Sequence, residues 1–395
     1  MEKEKLWNSN YIKVMFTNFC LFFSFYLLTP LLPIYMAEQF DSSKDMIGLV
    51  LCGYSLTALF VRPFSGFIVD SFSRKRVLLF VLFLYFITFA GYIVAGSLVL
   101  FAIVRTLHGG PYGASSVANS TVAIDVLPSS RRNEGIGYYG ISNNLGSAIA
   151  PSVAVLIYRY THNFDILFWF AFIVAGLGFI SSYMVKLPSR QPVKRNCKFS
   201  LDRFFLIKGW LIALNMLFFG FCWGLMSNYV AIYGKEHLGI TSGTGTYFLL
   251  LSIGLIASRF QGSKSLREGR LVYSAIVGII LATIGYTIFI LWPSTIGYYG
   301  SALLIGLGNG HIWPALQNMI IGVARHDERG TANSSILTTW DLGMGLGILA
   351  GGIVAEYFGY DACFRMNVAI HLVGLLLFVF FTRSFYKKNI MTDQG

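Results

Sequence analysis

Ionisable side chains are rare in the apolar parts of this chain, and those few are where chemistry has to be sought. Asp341, in Thr338-Thr339-Trp340-Asp341-Leu342-Gly343, lies about eleven residues into a long apolar stretch. That is roughly 16 Å from its start in a helix. A carboxyl at such depth is costly as an anion, which suits it to reversible proton uptake or to anchoring a cationic group. A hydrogen bond to a neighbouring helix, or pairing with Arg105, are the alternatives. Arg105, His108 and Tyr112 fall at i, i+3 and i+7, on one helix face. A permanent cation there calls for a hydrated cavity or a partner; its other role is a hydrogen-bonding clamp between helices. No nucleophile stands with a base, no phosphate loop occurs, and His311 and His371 read as core histidines without metal-ligand spacing. Neither an enzyme nor a cofactor or metal site is expected.

Membrane helices have to position these residues. Of 395 residues, 55% are hydrophobic and 12% charged, about half the charged fraction usual in soluble proteins, which excludes a water-soluble enzyme. Uncharged stretches such as Val77 to Gly96 recur at the ~20 residues that cross a bilayer. They give an all-α polytopic membrane protein with twelve spans, at 12–36, 46–68, 77–96, 98–125, 135–158, 165–186, 207–233, 243–262, 271–291, 296–324, 331–355 and 362–382. Of the thirty Lys and Arg residues, twenty-three fall in one alternating set of connections and four, Lys44, Arg159, Lys235 and Arg365, in the other. Arg62, Arg105 and Arg259 lie inside spans. The richer set faces the cytoplasm, so both termini are cytoplasmic, and the net charge of +12 sets orientation rather than binding nucleic acid. Cys20, Cys52 and Cys222 sit in spans, Cys197 in a cytoplasmic loop and Cys363 outside, so no structural disulfide is expected. The first apolar run has no small-residue cleavage site and reads as a retained span.

The longest connection, 187–208, divides the spans six and six, giving an N-terminal bundle over 1–186, a cytoplasmic linker, and a C-terminal bundle over 209–395. A shift of 197 residues superposes the halves at Asn18 and Asn215, Phe22 and Phe219, Gly48 and Gly245, Arg62 and Arg259, Gly109 and Gly306, Gly113 and Gly310, and Gly146 and Gly343. Paired Asn and paired Arg inside apolar spans point to a duplication. The same shift sets Asn144 opposite Asp341, so an amide meets the shared fold requirement and the charge needs its own explanation. Parallel six-helix repeats place a polar cavity at the midplane, which rocking exposes to each side in turn.

Gly66-Phe67-Ile68-Val69-Asp70-Ser71-Phe72-Ser73-Arg74-Lys75-Arg76 follows the second span and resembles the G-x-x-x-D-R-x-G-R-R/K loop of the major facilitator superfamily. Ser71 and Ser73 replace the usual Arg and Gly. In span four, Arg105-Thr106-Leu107-His108-Gly109-Gly110-Pro111-Tyr112-Gly113 resembles R-x-x-Q-G-x-x-x-G, with His108 for Gln. In span five, Gly146-Ser147-Ala148-Ile149-Ala150-Pro151-Ser152-Val153-Ala154-Val155 resembles the G-x-x-x-G-P-x-x-G-G of drug/proton antiporters, keeping Gly146 and Pro151 but replacing three glycines. Physically, Gly66 permits close helix approach, and Asp70 is an anion placed to meet a helix N-terminus or a cation.

The resemblance implies an inner gate in which Arg74 bridges Asp70 to Asp125 and Asp70 meets the start of span eleven at Gly330-Thr331-Ala332-Asn333-Ser334; Arg62, Arg76 and Arg259 lie near it. A solvated basic loop that only sets orientation is the alternative. It further implies proton movement linked to Arg105, with His108 and Asp341, and a cavity lined by spans one, four, seven and ten. Helical stripes on those spans, Asn18, Phe22 and Tyr26, Asn215, Phe219 and Trp223, and Asn309, Trp313 and Gln317, with Tyr112 and Asn144, are then the substrate-facing candidates. Aromatic and amide surfaces suit an amphipathic or aromatic ligand better than a sugar. The expectation is a monomeric, proton-coupled efflux transporter of the cell (inner) membrane, working by alternating access on small molecules and protons within the lipid bilayer. A proton-symport importer and a transport-inactive membrane sensor are the alternatives.

Overall fold

A computed structural model of the chain describes residues 5–128, 132–187, 205–240, 244–267, 269–324 and 329–390. Among these residues the secondary structure is helical and no strand occurs. Span one is α1 (Ser9–Leu28) followed by α2 (Leu32–Phe40); the break falls at Pro30, which lacks an amide proton and crowds the preceding turn. Then come α3 (Lys44–Ser71), α4 (Arg74–Val94), α5 (Leu98–Val126), α6 (Arg132–Thr161) and α7 (Phe164–Tyr183). After the linker follow α8 (Trp210–Leu238), α9 (Thr244–Arg267), α10 (Leu271–Leu291), α11 (Thr295–Gly322) and α12 (Arg329–Leu377), which runs on through a π turn into α13 (Arg383–Asn389). Spans eleven and twelve meet within α12 at Gly359, whose φ of 81° is in the left-handed region that glycine tolerates.

Eight helical stretches among the described residues are long and apolar enough to cross a membrane on composition alone. The helices of spans four and ten, α5 and α11, are not among them, although each has 28 or 29 residues. They hold Arg105, His108, Asn119, Asn309 and His311, so polar side chains within a span lower the signal by which it is recognised.

Contacts divide the chain into two compact units, one of Met1–Tyr35 with Gly53–Cys197 and one of Met36–Cys52 with Lys198–Gly395. This departs from the halves read in the sequence in one respect: α2's outer part and the first turns of α3 pack with the second unit. In the first unit α1 packs on α6 and α7, and α4 on α5 and α7; in the second, α8 packs on α12, and α11 on α9 and α10. Most of the linker lies outside the described residues.

Inside each unit the same contacts recur 197 residues apart. A Cβ on Gly109 would strike the Tyr54 carbonyl, and one on Gly306 the Leu251 carbonyl. Gly113 faces Ala58, and Gly310 faces Leu255. Ser97 caps α5 by accepting from the Leu100 amide, and Ser294 caps α11 by accepting from Gly297. Equivalent residues therefore do equivalent work, which coincidence in a glycine-rich composition does not produce.

Gly109→Ala and Gly306→Ala are expected to lower the melting temperature in detergent, since overpacking of this kind costs about 1–3 kcal/mol. Gly140→Ala and Gly300→Ala, where a Cβ meets nothing within 4 Å, should leave it unchanged. Size-exclusion thermostability measurements check this; equal melting of all four variants would contradict it.

Candidate functional site

In the first unit Arg105 is 1% exposed. Its guanidinium lies over the rings of Tyr54 at 4.5 Å and Phe25 at 5.2 Å, and none of its three nitrogens has a hydrogen-bond acceptor among the described residues. The aromatic faces therefore hold the charge by cation–π attraction. One turn on, the His108 Nδ1 is 2.9 Å from the Tyr92 hydroxyl, and Phe25, Tyr85 and Phe89 pack around its ring. Tyr112 is stacked on Phe25 with ring centroids 4.0 Å apart and is buried. Arg105, His108 and Tyr112 thus share one aromatic enclosure, as their spacing required, but Tyr112 is a wall of it and not an exposed contact.

Asn18 also differs from its expected place. It is 1% exposed; its amide donates to the Ser142 hydroxyl at 3.0 Å, and its carbonyl accepts from the Tyr139 hydroxyl at 2.8 Å, which in turn receives Asn119. This network ties α1 to α5 and α6. Tyr26, beside Phe22 on α1, and Asn144 on α6 are partly exposed within the unit. Gly146 brings α6 against the Phe19 carbonyl and the Phe23 amide of α1, and Pro151 is buried nearby.

At the end of the unit where α3 gives way to α4, Arg74 Nη1 donates to both carboxylate oxygens of Asp125, at 2.5 and 2.6 Å. Lys75 points the other way: its ammonium donates to the carbonyls of Ser182, Tyr183 and Val185 at 2.6–2.7 Å. These carbonyls lie at and just beyond the end of α7, where a cation is favoured, and that of Ser182 also accepts the Val185 amide. Arg62 is buried with its stem against Gly113, and Arg76 is exposed. Gly66 and the side chains of Asp70 and Arg259 lie outside what is described, so the expected Asp70 bridge does too.

In the second unit Asn215 is fully buried and donates to the Thr382 hydroxyl at 2.7 Å, joining α8 to the end of span twelve. Asn309 is buried and donates to the Ile305 carbonyl of its own helix. Like Asn18, Asn215 fastens one helix to another, whereas Asn309 bonds within its own helix; both are buried. Gln317 is partly exposed and donates to Asn333 at 2.9 Å. Trp223 and Trp313, also partly exposed, converge on Trp340: ring centroids are 6.4 Å from Trp223 and 4.9 Å from Trp313. Asp341 follows Trp340 in sequence and is 5% exposed. Gly220 and Gly224 of α8 face the backbone of Trp340 and Met344, and Gly343 and Gly347 of α12 face that of α8. Four glycines thus let two backbones approach beside the acid. Among the described residues no group of three His, Cys, Asp or Glu is placed to hold a metal.

The family model of the Major Facilitator Superfamily matches residues 14–347 and 267–391. The chain belongs to that superfamily. It is therefore an integral membrane transporter of small molecules, not an enzyme. Among curated relatives, the Staphylopine export protein of Staphylococcus aureus is 24% identical over 367 residues, covering 89% of each chain. The Quinolone resistance protein NorA of the same species is 23% identical over 387 residues, covering 94% of this chain and 96% of its own. Of solved structures, a bacterial homologue of the human lysosomal transporter Spinster superposes with a TM-score of 0.76 at 14% identity, over 97% of this chain and 98% of its own. The human organic anion transporter MFSD10 does so with a TM-score of 0.71 at 16% identity, over 94% and 99%. At these identities the structures show the shared fold.

Two residues of this superfamily member were not singled out by spacing. Trp340 joins a cluster whose other members come from different helices, so no single-helix pattern contains it. Lys75 was legible only as part of a basic run. Lys75→Met is expected to lower the melting temperature by several degrees, because hydrogen bonds to a charged group are worth about 1.5–3 kcal/mol. Arg76→Gln, at an exposed position, should stay within about 0.5 kcal/mol of the parent. If Lys75→Met melts with the parent, the capping role is wrong.

Proposed function

We propose that the chain exports a small amphipathic or aromatic compound from the cytoplasm in exchange for protons. The observation that carries this reading is the convergence of Trp223, Trp313 and Trp340 beside buried Asp341. Three partly exposed indoles offer apolar faces to an aromatic or amphipathic ligand, while a carboxyl of this burial can alternate between a protonated and an ionised form. Competition of substrate and proton for that carboxyl would couple their opposite movements. The names of the two curated relatives, an export protein and a drug-resistance protein, support the outward direction. On this reading Gln317 supplies a polar contact within the same unit as Asp341, and Arg105, His108, Tyr26 and Asn144 serve the transport cycle within the first unit. The transporter works as a monomer in the cell (inner) membrane with both termini cytoplasmic, a placement that rests on the distribution of Lys and Arg.

A second reading, import by proton symport, draws on the span-five segment, where alanines and Val155 stand at glycine positions of the antiporter pattern. One assay separates the two. In proteoliposomes with an imposed pH gradient, a quinolone and an aromatic cation are expected to move against the proton flow. Asp341→Asn should reduce that coupled flux at least tenfold, with recovery in Asp341→Glu. Flux along the proton gradient would establish symport, and undiminished coupled flux in Asp341→Asn would remove Asp341 from the mechanism.

A further inference from the structure

The connection between spans one and two carries charges that the reading above does not use. Lys235 at the end of α8 donates to Glu38 Oε1 at 2.5 Å. Lys44 Nζ stands 3.8 Å from Glu236 and 4.5 Å from the centre of the Tyr360 ring. The Lys44 amide, at the first residue of α3, donates to Glu356 Oε2 of α12 at 2.8 Å, so a carboxylate sits on a helix N-terminus, where the dipole favours it. Beneath these groups α3 crosses α12 in backbone contact: a Cβ on Gly48 would lie 3.0 Å from the Gly352 Cα and the Ile348 carbonyl oxygen. All of these residues belong to the second compact unit, although Glu38, Lys44 and Gly48 come from the first sequence repeat.

The sequence separation of the first pair is 197, the repeat shift itself, so Glu38 and Lys235 are repeat mates. When two copies are related by a two-fold axis, a residue reaches its own mate only beside that axis, and identical charged residues there repel. Here the mates carry opposite charge, which turns that repulsion into attraction. Alternating access requires the ends of the repeats to part on one side while they meet on the other. We propose that the Glu38–Lys235 pair, flanked by Lys44 between Glu236 and Glu356, is the outer latch of the transport cycle. The side chains of the central pair are 44% and 40% exposed, so each bond is weak and screened by salt. A latch of this strength holds the closed state yet opens once per turnover, with the glycine crossing fixing where it re-engages.

The test reads conformation and needs neither substrate nor a proton gradient, so it stands apart from the export reading. Spin labels are introduced at exposed Met46 and Tyr357 as non-canonical amino acids, leaving the native cysteines in place, and their separation is measured by pulsed dipolar spectroscopy. Glu38→Lys, which sets two cations together, is expected to increase the long-distance population at least about threefold. The exchanged double variant Glu38→Lys with Lys235→Glu should return it to the parent distribution, which also shows that the variant chain folds. An unchanged distribution in Glu38→Lys, or a double variant as open as the single one, would overturn the proposal.

Discussion

Backbone contact between helices is the constraint on which the rest of the structure depends. In a bilayer, apolar side chains gain little by leaving lipid for protein, so helices associate where small residues let their backbones meet. Gly109 and Gly113 supply this for α5 against α3, Gly306 and Gly310 for α11 against α9, and Gly220, Gly224, Gly343 and Gly347 for α8 against α12. Once helix positions are set in this way, the long side chains between them have little choice of direction. Gly220 lets α8 approach the backbone of Trp340, and Arg62 is accommodated because Gly113 lacks a side chain.

Buried polarity is then divided between two tasks. Asn18, Asn119, Tyr139 and Ser142 satisfy one another and fasten α1 to its neighbours; Asn215 with Thr382 does so in the second unit. Arg105 is held differently, by aromatic faces and without acceptors among the described residues. A cation kept in this way is electrostatically uncompensated by any bond it makes, and its field acts on whatever charge approaches. Satisfied amides carry no such influence.

Much of this was legible in the chain itself. Span positions follow from apolar runs and the duplication from a constant shift, because each depends on residues near in sequence or repeated at one interval, whereas the meeting of Arg74 with Asp125 was implied by the resemblance of the loop after span two. The roles of Asn18 and Asn215 were not legible: an amide at membrane depth serves a ligand and a neighbouring helix equally well, and only the identity of its partner decides. Trp340 was hidden because its cluster is assembled from three helices. The Glu38–Lys235 pair was hidden by counting charges according to side of the membrane, whereas the opposite signs of two repeat mates were present in the sequence all along.

The Lys44 amide and the Glu356 carboxylate are 312 residues apart in sequence, and this has a consequence for biosynthesis. At roughly 5–20 residues per second of synthesis, α3 enters the membrane some 15–60 s before its partner on α12 exists. Throughout that interval the start of α3, with Glu38 and Lys44, has to be tolerated at the membrane surface without the groups that later receive it. These sequence-distant contacts are therefore completed only when span eleven is in place, so a nascent chain that stalls earlier leaves this corner unbuilt.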